Sequence, residues 1–537
     1  MLVMMPSGSN ICMNGHCGYH FWGIHSHDSM WHLEIAAVAF KSYPFLVPTF
    51  AGSVLSGYNI LMDLIVFVIS LAGIPPIIML FKIVPIIWFV LYTLIAITFS
   101  QKLKDSLLFI AITLFFLYFA DHFGYILQLY YDGSIFKGSQ SFGLQSMTAL
   151  LNTQFALTLP IIMAQLILLK LQKFTFKNSL IMSVLVFFSM GLKFYGGIAS
   201  LILAGFYVID FFIQKKNFIR VLQQGSIILV GTLLSIIIFY NPFQATQSRS
   251  IFTISPFATV HSVIEAPDMV YLPDMVNARY FLYEHGWSPR LLYIELLSTA
   301  LYMVINFGTR IFGVMYIIGK IIAKKAKRIE IYILLTVFLM SALSVLLIQK
   351  GDWWNTVQFG YYGIFLSTFL LAIFIYDVII HFKKVGIVIV VVIVIFTIPG
   401  TLRTISSFSS TDTLYISRQE IQAMEFLKKQ PDGIVLNSFE AKEGYPFLDY
   451  RTSGYVAAFT GKQLYLAHLG PLNIIGVDFK KRLARVLGND CSVFEEVDYI
   501  YYVKEHDGKL LESCLDVVDN DFLKVFENSQ VRIFKRK

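Results

Sequence analysis

The sequence predicts a mainly α polytopic membrane protein: about ten transmembrane helices, outer juxtamembrane helices, and a C-terminal soluble α/β domain. Three observations predict it. Of 537 residues, 56% are hydrophobic and only 14% charged, where a soluble chain carries roughly 25% charged residues. Apolar runs close to the roughly 20 residues that cross a bilayer recur along the first three quarters of the chain. Short clusters of Lys and Arg then separate alternate runs, as cytoplasmic loops do.

The runs that predict spans lie at about 77–99, 106–120, 154–170, 179–192, 196–213, 221–241, 297–319, 331–349, 361–382 and 385–402. The basic clusters are Lys102 and Lys104; Lys170, Lys173 and Lys177; Lys215, Lys216 and Arg220; Lys320, Lys324, Lys325, Lys327 and Arg328; and Lys383 and Lys384. The intervening connections are nearly bare: 121–153 holds Lys137, and 242–290 holds Arg249, Arg279 and Arg290. The clusters are therefore predicted to be cytoplasmic, and the bare loops and the C-terminus extracytoplasmic. The formal charge of +8 sits in these loops, where it suits anionic lipid, and leaves no basic face for nucleic acid.

Domain boundaries follow. Residues 1–57 are predicted to be an outer loop with a juxtamembrane amphipathic helix, 58–402 the transmembrane domain, and 403–537 an extracytoplasmic α/β domain. For 1–57 to lie outside, the apolar run 58–74, with Asp63 and the Pro75-Pro76 stop, must lie along the outer interface or re-enter. In the alternative, 58–74 spans and the N-terminus is cytoplasmic. All four cysteines, Cys12, Cys17, Cys491 and Cys514, fall in segments placed outside, which suggests disulfides Cys12–Cys17 and Cys491–Cys514. Free thiols are the alternative. A zinc site from Cys12, Cys17, His16 or His20 lacks the CxxC spacing.

The stretch 16–34, HCGYHFWGIHSHDSMWHLE, gathers His16, His20, His25, His27 and His32 around Asp28 and Glu34. From Asp28 it reads as an amphipathic helix with Trp31, Ile35, Val38 and Ala39 on one stripe, its first carboxylate exposed at the helix start. A carboxylate so placed serves either as a helix cap or as a general base. An acidic residue opening an amphipathic helix in the first outer loop, followed by PFLVPTFAGSVLSGYNILMDLIVFVISLAGIPP and a helix running to a basic loop, resembles the GT-C membrane glycosyltransferases. That superfamily includes the protein O-mannosyltransferases and the lipid A aminoarabinose transferase. The resemblance covers the order of elements over most of residues 20–402; Ser29 after Asp28 departs from the branches that carry two adjacent acids.

The resemblance implies a transferase that moves a sugar from a polyprenyl-phosphate donor to a glycan, lipid or protein acceptor on the outer face of a membrane; the lack of an Asn-x-Ser/Thr sequon points to a prokaryote's plasma membrane. It implies that Asp28 activates the acceptor and that Asp121, beside His122, is a second acid. It leaves a divalent metal open as cofactor, and it implies a transmembrane helix before the first loop, so a late start codon is expected. The substrate-binding candidates are His27, His32, His122, Lys193, Arg310, Asp352, Trp353 and Asn355. Lys193 and Arg310 are positive charges for the leaving phosphate. Arg310 sits within an apolar run, where an ionised side chain is functional by default, or else pairs with Glu295 or Asp63. Asp352, Trp353 and Asn355 share a short outer loop that could hold a sugar against a ring, or simply anchor at the interface. The loop 242–290, with Asp268, Asp274, Arg279, Glu284 and His285, is long enough to fold over a cleft.

In the C-terminal domain, Ser417 with Glu420 forms a capping box and Pro431-Asp432-Gly433 a turn, and no nucleophile elbow or phosphate loop is present. It reads as an accessory domain that selects or positions an acceptor. The competing functional classes are a non-enzymatic lipid or glycan transporter, an assembly factor, and an inactive relative of the transferases. The predicted sidedness has a direct check. After reduction, a membrane-impermeant thiol reagent added to intact cells labels Cys12 and Cys17; labelling only after lysis reverses the placement.

Overall fold

In the computed structural model, which describes all residues except 2, 137–144, 216, 244–251, 267, 268, 270, 350–352, 410–412 and 443–447, the chain forms two compact units. One comprises Met1–Ile87, Ile236–Arg249 and Thr411–Lys537; the other comprises Trp88–Ser235 and Ser250–Ser410.

The first unit joins the two ends of the chain. Strands Ser9–Met13 and His16–Trp22 form a hairpin whose second strand pairs antiparallel with Thr413–Ser417. Gly18 is required where they meet, since a Cβ there would stand 1.9 Å from the Ile416 carbonyl oxygen. Cys12 and Cys17 face each other across the hairpin and form a disulfide; Cys491 and Cys514 form the second. Both are the pairs expected. The other sheet runs in the order Val435–Leu436, Tyr499–Val503, Val531–Arg536, Phe522–Glu527, with the first pair parallel and the rest antiparallel.

The Asp28–Val38 helix is buried in this unit. Ser29, Met30, Trp31, Leu33, Glu34, Ile35, Ala36 and Val38 are all inaccessible, so the expected amphipathic helix lying on a membrane is corrected to an internal helix. Trp31, Ile35 and Val38 do pack inward, but the opposite side is covered too, because Glu34 finds partners within the protein. Its carboxylate accepts the Gly454 backbone N–H at 2.8 Å and pairs with His468 Nδ1 at 3.0 Å. A Cβ at Gly454 would lie 2.8 Å from the Glu34 carboxyl carbon, so only glycine lets the amide approach. Two residues earlier, His32 Nδ1 meets the buried Asp63 carboxylate at 3.0 Å. Burial pushes the Asp63 carboxyl above its ordinary value, and His32 opposes that.

The second unit is a helical bundle. Among the described residues, seven helices are long and apolar enough to cross a membrane, or eight if the bent pair Leu107–Phe119 and Gly124–Asp132 is one span. This is compatible with a multi-pass membrane protein. The difference from ten has identifiable causes. The run 179–192 becomes Phe176–Leu192, a 17-residue helix shorter than the others. The runs 361–382 and 385–402 become one continuous Val357–Ser409 stretch with non-helical backbone at Lys383. The chain turns back there: a Cβ on Gly386 would stand 2.3 Å from the Val378 carbonyl oxygen, where eight residues of straight helix rise about 12 Å. The run 297–319 is not one helix either. Pro289–Phe307 ends at Gly308, and a second helix starts at Arg310.

All five basic connections meet at one end of this bundle. Lys104 pairs with Asp377, which also accepts from Tyr316 at 2.9 Å; Lys320 pairs with Glu330 at 2.7 Å. Asp210, fully buried, accepts from Arg328 and Tyr332 at 3.0 Å each and from Gln172 at 3.3 Å. The alternation of charge read from the sequence is thus matched by a shared end in the fold.

The C-terminal capping box is formed as expected, with Ser417 Oγ accepting the Glu420 N–H at 3.1 Å. The Glu420 carboxyl accepts from Tyr455 at 2.6 Å, and burial pushes its pKa up to about 7. An acid raised in the folded state is fully stabilising below its unfolded pKa and loses that stability as pH rises towards the folded pKa. Hydrogen-exchange protection of the Arg418–Lys428 helix, corrected for intrinsic rates, therefore falls as the pH rises from 4.5 to about 7. One proton is lost on unfolding in that window, so the fall approaches about tenfold for each step of one in pH. Glu420→Gln flattens the dependence.

Candidate functional site

The histidine-rich head places its residues in two environments. His25 is buried, with Nδ1 at 2.8 Å from Ser29 Oγ and Nε2 without a hydrogen-bond partner among the described residues. Desolvation pushes its pKa down to about 4, so it is neutral at physiological pH. His27 and Asp28 are different: each side chain is 47% exposed, and His27 Nδ1 lies 2.8 Å from Asp28 Oδ1. Asp28 is the first residue of the Asp28–Val38 helix, where a carboxylate is favoured by the unpaired N–H groups of the first turn. The hydrogen bond to Asp28 holds the His27 pKa above its ordinary value against desolvation. The pair is thus an accessible carboxylate–imidazole couple on a helix that is otherwise fixed by buried contacts. His32, expected to bind substrate, instead spends Nδ1 on Asp63 and stacks on Tyr58.

In the bundle unit, Asp121, His122 and Arg310 come together at two helix breaks. Leu107–Phe119 stops at Ala120 and Gly124–Asp132 starts after Phe123; Pro289–Phe307 and Arg310–Ile322 break beside it, with Phe123 N–H donating to the Ile305 carbonyl at 2.8 Å. Arg310 is fully buried, and its guanidinium donates to the Ala120 carbonyl at 2.7 Å, the Thr368 hydroxyl at 2.9 Å and the Phe307 carbonyl at 3.4 Å. Two of those acceptors are carbonyls at helix C-terminal ends, which lack intrahelical donors. Arg310, expected to face a phosphate, here clamps two helix ends, and among the described residues it is paired with neither Glu295 nor Asp63. Glu295 pairs with His261 at 2.5 Å and Arg279 at 3.8 Å.

Asp121, expected as a second catalytic acid, is also buried. One oxygen accepts the His122 backbone N–H at 2.8 Å, the other the Thr404 hydroxyl at 3.1 Å. Gly308 and Gly400 lie so close that a Cβ on either would collide with Asp121. His122 Nδ1 accepts the Gly124 N–H at 2.9 Å and so covers the start of the next helix. This arrangement braces a break and leaves no open face on the carboxylate for an acceptor.

Lys193 is a buried turn residue between Phe176–Leu192 and Phe194–Lys215, 6.0 Å from the Tyr195 ring centroid. Asn355 accepts from Gln358 at 2.5 Å, and Trp353 opens the short Trp353–Thr356 turn. Asp352 and Asp268 lie outside the described residues. Arg279 joins Glu265 and Glu295. An open groove of about 480 Å³ in the C-terminal part is lined by Tyr502, Glu512, Asp519, Phe522, Lys524 and Arg532 among others, none of them a predicted site residue. Among the described residues, no group of three or more His, Cys, Asp or Glu side chains could hold a metal ion.

Sequence reasoning missed Glu34, His468 and Gly454 as a set. Their signal was present but weak: an acid and a histidine each inside an apolar stretch, HLEIAAVAF and YLAHLG, where a buried polar group must find a partner. No family model and no curated protein matches the chain.

The Arg310 clamp has a measurable consequence. Arg310→Met strands two carbonyls and lowers the thermal unfolding temperature in detergent by several degrees. Arg310→Lys recovers only part of the loss, because an ammonium cannot reproduce the planar fork.

Proposed function

We propose that the protein is a GT-C-type membrane glycosyltransferase that uses a polyprenyl-phosphate-linked sugar, with Asp28 as the general base. The observation that carries this reading is the His27–Asp28 couple: a half-exposed carboxylate, 2.8 Å from an imidazole, on the first residue of a helix held by buried contacts. A general base must be reachable by its substrate yet held in place, and among the candidates named from the sequence Asp28 combines the two. The bundle of long apolar helices also supports it, since a polyprenyl donor is delivered from a bilayer.

In the step so assigned, Asp28 takes the proton of the acceptor hydroxyl while that oxygen attacks the anomeric carbon. The new glycosidic bond forms as the bond from the anomeric carbon to the phosphate oxygen breaks. Polyprenyl phosphate leaves with the electron pair. Positioned proton transfer of this kind contributes roughly 10²–10⁴ in rate. His27, on the far side of the carboxylate's hydrogen bond, orients it.

The test is transfer from radiolabelled polyprenyl-phosphate sugars to candidate acceptors in membranes that contain the native chain or Asp28→Asn. Asp28→Asn is expected to reduce kcat by about 10²-fold or more with the protein still folded. Transfer at the native rate by the variant removes Asp28 from the chemistry.

A further inference from the structure

The outer segment between the Phe218–Ser235 and Pro289–Phe307 helices carries an anomaly that the transferase reading does not use. The Pro273–Glu284 helix has no buried residue. Around it Tyr280, Phe281, Tyr283, Trp287 and Tyr293 are all exposed, Trp287 at 79% and Phe281 at 62%. A contiguous patch of exposed rings on this scale marks an interaction surface.

Three observations say what covers it. First, the patch runs straight into a helix of spanning composition. Pro289–Phe307 is long and apolar enough to cross a membrane, and its exposed large apolar residues are Leu292 and Tyr293 near the start, then Leu296, Leu297 and Val304. Rings at the end and aliphatics beyond them is the order of side chains from interface to hydrocarbon. Second, another apolar segment of the bundle unit ends beside the patch. Leu107–Phe119 and Gly124–Asp132 are an apolar helix pair bent by 47° at a short break. Its end carries Tyr130, 80% exposed, and the next residue, Tyr131, donates to the Tyr271 carbonyl, two residues before the Pro273–Glu284 helix starts. Third, the helix is seated from one side only. Val276 and Leu272 pack on the Val260, Val263, Ile264 and Tyr302 cluster, Arg279 joins Glu265 and Glu295, and Tyr280 on the same side donates to Glu265 at 2.9 Å; Phe281, about 140° round the helix from Val276, lies away from that side.

We infer that the Pro273–Glu284 helix and the turn to Pro289 form an interfacial wing that lies in the outer headgroup region of the bilayer, with Phe281, Tyr283 and Trp287 inserted among the lipids. The occupant of the face is lipid. Its chemistry fits: Trp and Tyr rings partition to the boundary between headgroup and chain, and exposed Arg290 beside them suits lipid phosphate. The segment expected to fold over a cleft thereby acquires a different partner. This inference does not depend on the assignment of Asp28, since it concerns residues of the bundle unit and a physical contact with lipid.

The test uses the full chain in liposomes, with nitroxide labels on single variants Phe281→Cys and Trp287→Cys, and on Lys481→Cys as a water-exposed reference. Collision rates with oxygen, which concentrates in lipid, and with a water-soluble nickel chelate are measured for each. The wing predicts an oxygen-to-nickel ratio at least about threefold higher at 281 and 287 than at 481, as for interfacial helices. Equal ratios at all three sites place the helix in water and overturn the inference. Protection from both reagents means that protein covers the face, a second copy or another partner, and overturns it as well. Because positions 281 and 287 are exposed, the labels disturb no packing.

Discussion

The first unit depends on one buried carboxylate. Glu34 sits in the middle of the Asp28–Val38 helix, fully inaccessible, and its carboxylate is met by the Gly454 N–H and by His468. An unpaired carboxylate in such a place costs several kcal/mol, so the helix cannot occupy this position without residues more than 400 positions further along the chain. That constraint ties the head of the chain to its tail. It also explains why the Asp28–Val38 helix can be buried on nearly every side and still carry an accessible acid on its first residue.

The same logic, ends held by groups from elsewhere, recurs in the bundle unit. Arg310 covers carbonyls at two helix ends, Asp121 takes up a backbone N–H and a threonine hydroxyl, and Asp210 gathers Arg328, Tyr332 and Gln172 at the basic end. Broken helices at membrane depth are tolerated where protein groups satisfy the freed backbone. The charged residues inside apolar runs are therefore read first as the means by which breaks are held. Functional assignment then falls on the residues that stay accessible, and the His27–Asp28 pair is such a place.

Much of the helical architecture was legible in the sequence because length and hydropathy are local properties. The apolar runs, the alternating basic clusters, the capping box at Ser417 and the two disulfides all follow from neighbours in sequence. What was not legible depends on distant partners. The Asp28–Val38 stretch reads as amphipathic until Gly454 and His468 are known to cover Glu34. Arg310 reads as a phosphate ligand until the ends of two other helices are found against it. The turn at Lys383 is invisible to hydropathy, since Lys383-Lys384 interrupts a run that is helical on both sides. For the candidate site, residue type and position near a helix start singled out Asp28, whereas burial, which removed Asp121 and Arg310 from the accessible set, is a property of the fold alone.

Glu34 and His468 act as one interaction that fixes the helix bearing Asp28. A double-mutant cycle tests it most directly. Hydrogen-exchange stability of the Asp28–Val38 helix is measured in the full chain for the native protein, Glu34→Gln, His468→Ala and the pair. Contact within a buried pair predicts a coupling of about 1–3 kcal/mol, with the double variant losing less than the sum of the single losses. Additive losses, within about 0.5 kcal/mol, mean that the two residues do not share an interaction and contradict the account.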